Sequence, residues 1–105
     1  MLPAIFGLEG TELTDAERSF FREVSPFGYI IFGRNVVNRA QLQSLTDSLQ
    51  NLHGRAVPIL IDQEGGRVAR MQPPEWAAYP PAQRFADLYA LRPDEALLAT
   101  QLNYE

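Results

Sequence analysis

Three short apolar segments recur along the chain at similar spacing, at residues 3–8, 28–32 and 57–61. The second and third are nearly continuous in Ile, Val, Leu, Tyr and Phe. Runs of that kind suit strands buried on both faces, as in parallel sheets, better than strands with one face in water. Two helical patterns lie between them. In the first, Thr14 and Glu17 have capping-box spacing, and Ala16, Phe20, Phe21 and Val24 form one apolar stripe that Pro26 helps to stop. In the second, Asn38 and Gln41 repeat the box in weaker form, Leu42, Leu45, Leu49 and Leu52 make the stripe, and Gly54 supplies a stop. Strand, helix, strand, helix, strand in that order is a run of βα units, which places the chain in the α/β class.

After Ile61 the character changes. Residues 62–71 are polar and include Gly65-Gly66, and Pro73, Pro74, Pro80 and Pro81 enforce an irregular stretch. A short helix is expected over 82–89. Another starts at Pro93, with Asp94 and Glu95 at the positive end of its dipole, and its leucines run almost to Glu105. Its stop signals are poor, so residues 1–105 are expected to form a partial domain, truncated at the C-terminal end. A packing argument agrees. Right-handed crossovers place both connecting helices on one face of a three-stranded parallel sheet, and the other face then needs a cover. Each exposed Leu- or Ile-sized side chain forgoes about 1.5–3 kcal/mol against a typical stability of about 5–15 kcal/mol. Closing the sheet into a barrel removes both the bare face and the open edges. The alternative cover is the proline-rich tail.

Composition narrows the partners. The chain has 105 residues, 46% hydrophobic and 21% charged, which suits a globular domain rather than a disordered segment. Its net charge is −4 with no basic run, which argues against nucleic-acid and anionic-membrane partners. There is no cysteine, so disulfides, thiolate-bound zinc and thiol nucleophiles are excluded. The start lacks the basic segment and apolar core of a secretory signal, and no apolar run approaches the roughly 20 residues that span a bilayer. If the start is authentic, a cytoplasmic protein is expected.

In βα barrels the working residues follow the C-terminal ends of the strands. Here those positions are Glu9-Gly10, Arg34-Asn35 and Asp62-Gln63-Glu64-Gly65-Gly66-Arg67. The last of these, with Val68 after it and Pro58-Ile59-Leu60-Ile61 before it, resembles the strand-and-loop motif of glycoside hydrolase family 3. Gly28-Tyr29-Ile30-Ile31-Phe32-Gly33-Arg34-Asn35 resembles the second strand of the bacterial β-N-acetylglucosaminidases (β-hexosaminidases) that recycle cell-wall sugars. The Glu9-Gly10 turn and Pro80-Pro81-Ala82-Gln83 also fit that subfamily, so the resemblance covers nearly the whole chain in order.

The resemblance implies the N-terminal portion of a (β/α)8 TIM barrel that releases terminal β-linked N-acetylglucosamine with retention, without metal or cofactor, in a monomeric parent. It assigns substrate binding to Asp62 and Arg70. The chemistry agrees, since a carboxylate accepts bonds from two neighbouring hydroxyls and a guanidinium donates in a fixed fork. The alternative is an Asp–Arg pair that pins the loop. Gly65 and Gly66 would let the backbone turn tightly near a ligand. Glu64 is not the family's general acid and is read as pairing with Arg67. Arg34 and Asn35 are read as bracing the rim rather than touching substrate, and Glu9 as a turn residue. His53, the only histidine, falls at a helix C-terminus whose dipole favours its charged form. It does not match the family's catalytic histidine, which lies with the aspartate nucleophile on later segments. No catalytic residue is therefore expected in this chain. Trp76 and Tyr79 are read as packing groups rather than a sugar-stacking platform. Two rivals remain: a family 3 β-glucosidase or β-xylosidase, and a non-catalytic sugar- or protein-binding module.

Overall fold

In the computed structural model, which describes residues 1–105, β1 (Leu2–Phe6), β2 (Pro26–Ile31) and β3 (Ile59–Ile61) form a parallel sheet in the order β1-β2-β3. The chain divides into two compact units, Met1–Asp62 and Gln63–Glu105. The sheet belongs to the first, with α1 (Asp15–Val24) and α2 (Arg39–Leu52) as its two crossovers.

Both helices begin as their capping residues require. The Thr14 hydroxyl accepts the Glu17 N–H at 3.1 Å, and the Glu17 carboxylate accepts the Thr14 N–H at 3.0 Å. Asn38 caps α2 by accepting the Gln41 N–H at 2.8 Å. Gln41 does not complete that box, because its amide oxygen accepts the Val37 N–H instead. The helix ends differ from expectation. Ser25, in the left-handed region at φ 46°, closes α1, which frees Pro26 to open β2 as a first strand residue. α2 ends at His53 in extended backbone, so Gly54 is not its cap.

Register sorts the sheet residues into two faces. Phe6 pairs with Tyr29 and Tyr29 with Ile59, while Ile31 pairs with Ile61. These five point at the helices, where Tyr29 and Ile31 join Phe21 of α1 and Leu45 and Leu49 of α2 in one core. Phe21 meets the Tyr29 ring edge-on at 4.9 Å, an arrangement that adds about 0.5–1.5 kcal/mol to simple burial. On the opposite face Ile5 pairs with Gly28 and Ile30 with Leu60. There Ile5 is 45% and Leu60 42% exposed. The bare second face anticipated from handedness is present on both edge strands.

The third strand is shorter than its apolar run, because the side chain of Gln50 replaces a ladder partner. It accepts the Val57 N–H at 3.0 Å and donates to the Val57 carbonyl at 2.7 Å, leaving Val57 buried but outside β3.

The second unit begins with an antiparallel hairpin, β4 (Gln63–Gly65) and β5 (Val68–Ala69), where sequence patterning gave only a polar loop. A helical pair follows, α3 (Ala82–Leu91) and α4 (Pro93–Tyr104). It is closed by buried Ala96 and by Phe85 against Tyr104 at 6.1 Å. Leu97, Leu98 and Leu102 are largely exposed.

Candidate functional site

The C-terminal ends of the three parallel strands form one rim of the first unit, and the side chains there are organised by hydrogen bonds to backbone. Past β1 the chain turns through Gly7, Leu8, Glu9 and Gly10. The Leu8 carbonyl accepts from Arg34 Nε at 2.8 Å and from Asn35 Nδ2 at 3.2 Å. The Gly10 carbonyl accepts from Asn35 Nδ2 at 2.6 Å. The Glu9 N–H donates to the Glu17 carboxylate at 2.7 Å, while the Glu9 side chain is exposed. Past β2 a single 3₁₀ turn, Gly33–Asn35, carries Arg34 and Asn35. The Arg34 guanidinium lies 5.0 Å from the Phe32 ring centre, a cation–π contact. Asn35 is wholly buried, and its Oδ1 accepts the Phe32 N–H at 2.9 Å. Gln41 adds two bonds from its amide nitrogen, to the Thr11 and Asn35 carbonyls, each 2.8 Å. Asp62 directly follows β3 and is half-buried.

The hairpin unit has its own organiser. Gln63 Oε1 accepts the N–H groups of Arg70 and Met71 at 2.9 and 3.0 Å, and its Nε2 donates to the Met71 carbonyl at 2.8 Å. One amide thereby sets the backbone at Arg70. Gly65 and Gly66 take positive φ, 87° and 60°, and the Gly66 N–H donates to the Tyr79 carbonyl at 2.9 Å. A Cβ on Gly65 would collide with the Pro80 carbonyl oxygen. The glycine pair is required by conformation and by the proline-rich segment lying against it. Glu64 and Arg67 are exposed and do not pair with each other, so that part of the expectation is corrected; the turn keeps both side chains in water. Tyr79 contributes its carbonyl to the turn and leaves its ring half exposed.

His53 stands at the other end of the sheet, where α2 returns toward β3. Its Nε2 is 2.7 Å from the Tyr29 hydroxyl. Burial, and then the positive charge of Arg55, hold the His53 pKa below the ordinary imidazole value, against the dipole expectation. Burial pushes the Tyr29 hydroxyl up to about 12, opposed by Arg55. The Arg55 guanidinium in turn donates to the Pro26 and Phe27 carbonyls at the start of β2.

Asn35 was read with Arg34 as bracing the rim, whereas Gln41 and Gln63 were not singled out as organisers by their spacing. Each is a side-chain amide near a strand end, where one group can serve both donors and acceptors of irregular backbone. No group of three or more His, Asp or Glu side chains is arranged to hold a metal ion, and no helix is long and apolar enough to cross a membrane.

No protein-family model matches the chain. Individual proteins do. The chain is 36% identical over 97 residues to a β-hexosaminidase of Xanthomonas axonopodis pv. citri, covering 92% of this chain and 29% of that protein. Among solved structures it is similar to NagZ from Neisseria gonorrhoeae in complex with N-trifluoroacetyl-D-glucosamine, with a TM-score of 0.79 and 27% identity. That match covers 85% of this chain and 26% of the other. It is also similar to a glycoside hydrolase family 3 β-N-acetylglucosaminidase from Paenibacillus, with a TM-score of 0.70 and 30% identity, over 77% of this chain and 16% of the other. The chain thus spans about 29% of the length of the curated relatives it matches.

Proposed function

We propose, for a chain that belongs to glycoside hydrolase family 3 among its β-hexosaminidases, that it is part of a barrel enzyme releasing terminal β-linked N-acetylglucosamine. Residues 1–105 are one portion of that barrel domain, contributing sugar-binding groups while the acid/base and nucleophile come from other segments. The observation that carries this reading is the position of Asp62, immediately beyond the third of three parallel strands, on the rim where such folds work. Alternation along β3 puts Ile59 and Ile61 toward the helices and Leu60 away from them. Carried one residue further, that alternation directs Asp62 to the side away from the helices, which in a closed barrel is the interior.

In this reading the Asp62 carboxylate accepts bonds from sugar hydroxyls, and Arg70, whose backbone Gln63 sets, keeps the substrate-binding role that the resemblance implies. Arg34, Asn35 and Glu9 shape the rim without contacting sugar, and Glu64 and Arg67 stay on the exposed turn of the hairpin. The reading extends to cytoplasmic recycling of cell-wall sugars by a monomeric parent, the setting that the resemblance implies.

The test is hydrolysis of a chromogenic N-acetyl-β-glucosaminide by the whole protein that carries this segment, beside the matching glucoside and xyloside. The aminosugar should be preferred, and residues 1–105 alone should be inert. Asp62→Ala should lower kcat/KM about 10-fold or more, the scale of one charged hydrogen bond at about 1.5–3 kcal/mol. Unchanged kinetics in that variant would remove Asp62 from the site. Preference for the glucoside or xyloside would move the protein to another branch of the family.

A further inference from the structure

Both amide hydrogens and the amide oxygen of the Asn35 side chain are engaged at the rim. Its two amide hydrogens reach the Leu8 and Gly10 carbonyls past β1, and its oxygen takes the Phe32 N–H past β2. With no exposed surface, it cannot itself meet a ligand. Its backbone is engaged as well, donating to the Phe32 carbonyl at 2.9 Å and accepting from Gln41 Nε2. Ile31 pairs with Ile61, so the last rung of the ladder lies directly before Phe32, whose N–H Asn35 holds, and directly before Asp62. One buried amide thus ties the end of β1 to the end of β2 at the flank of the candidate sugar-binding carboxylate.

We propose that Asn35 is a positioning residue: it fixes the strand ends that aim Asp62 at the sugar, with Gln41 as its support. This rests on the reading of Asp62 given above. Asn35 differs in role from its neighbour Arg34, which shares the Leu8 carbonyl but whose charged group lies over the Phe32 face. Asn35→Asp separates geometry from bulk. It keeps the shape and the oxygen that accepts from Phe32, but replaces two donors with an oxygen facing two carbonyl oxygens. The strand ends must then part.

The experiment is a double-substitution cycle in the whole protein, comparing Asn35→Asp, Asp62→Ala and both together for folded fraction, KM and kcat. Because a carboxylate that binds hydroxyls acts on ground and transition states alike, Asn35→Asp should raise KM about 10-fold with kcat nearly unchanged. In the Asp62→Ala background the same substitution should add less than about twofold, since residues acting through one group are not additive. A full, additive effect there would overturn the proposal, as would unaltered kinetics in the single variant. If Asn35→Asp does not fold, Gln41→Glu takes its place in the cycle; it keeps the bond from Val37 and loses both donated bonds. If the unsubstituted protein does not hydrolyse the glycoside, the family reading of activity fails. The same cycle read by calorimetric binding of N-acetylglucosamine then decides the role of Asn35 separately.

Discussion

Gly28 is the place where adding one carbon should cost most for the sheet that carries the site. A Cβ there would stand 2.6 Å from the Pro58 carbonyl oxygen and 3.3 Å from the Pro58 Cβ. That carbonyl is also the acceptor of the Tyr29 N–H at 3.0 Å. To admit Gly28→Ala, β2 and the segment entering β3 must separate by about half an ångström, an overpacking cost of about 1–3 kcal/mol. The stretched Tyr29 bond adds about 0.5–1.5 kcal/mol. Against this, alanine restricts the unfolded chain and returns about 0.4–1 kcal/mol. The steric terms win, leaving a net loss of about 0.5–4 kcal/mol, centred at about 2. Gly54 provides the control, because a Cβ there meets nothing within 4 Å and its φ is not positive. Gly54→Ala should be neutral or slightly stabilising. The assay is urea unfolding of the protein and its two variants. With a slope of about 1–3 kcal/mol per molar urea, the Gly28 variant should shift its midpoint downward by about 1 M. A Gly28→Ala protein within about 0.5 kcal/mol of the parent would show that the close approach to Pro58 carries no energetic weight.

The burial of His53, with Arg55 beside it, predicts a pH response. The folded-state pKa of His53 is depressed, so the unfolded chain binds the proton first. Stability should be full above about pH 6.5, the ordinary imidazole value, and fall as the pH drops below it. Urea midpoints at pH 7.5 and 5.5 should show the fall, His53→Gln should abolish it, and a flat profile in the unsubstituted protein would contradict the assignment. Gln63→Ala strips three hydrogen bonds from the Arg70–Met71 backbone. It should reduce kcat/KM of the whole protein several-fold while leaving unfolding of the first unit unaltered; full activity would show that Arg70 needs no such support.

The apolar runs and capping pairs were legible because they are local signals. Thr14–Glu17 spacing and the leucine stripe of α2 each depend on one turn of helix, and both appear where the sequence puts them. The parallel sheet followed from the length and character of the crossovers. Strand ends were less legible, since side chains from elsewhere decide them. The first run was expected to reach residue 8, but β1 ends at Phe6 as the Leu8 carbonyl turns to Arg34 and Asn35. The third was expected from residue 57, but Gln50 takes both backbone groups of Val57. The hairpin was hidden for a similar reason. Its strands are only three and two residues long, too short for an alternation pattern, and Gly65-Gly66 reads equally well as a loop. The rim positions were visible as polar residues after apolar ones; which of them organise the others depended on reach across 25 or more residues.

Glu17 shows how the two scales meet. One of its oxygens closes the first turn of α1 through Thr14, and the other holds the Glu9 N–H eight residues upstream. The rim segment and the helix start therefore share a single latch. Loss of the Glu17 carboxylate should open the backbone amides of Glu9 and Thr14 to solvent exchange together.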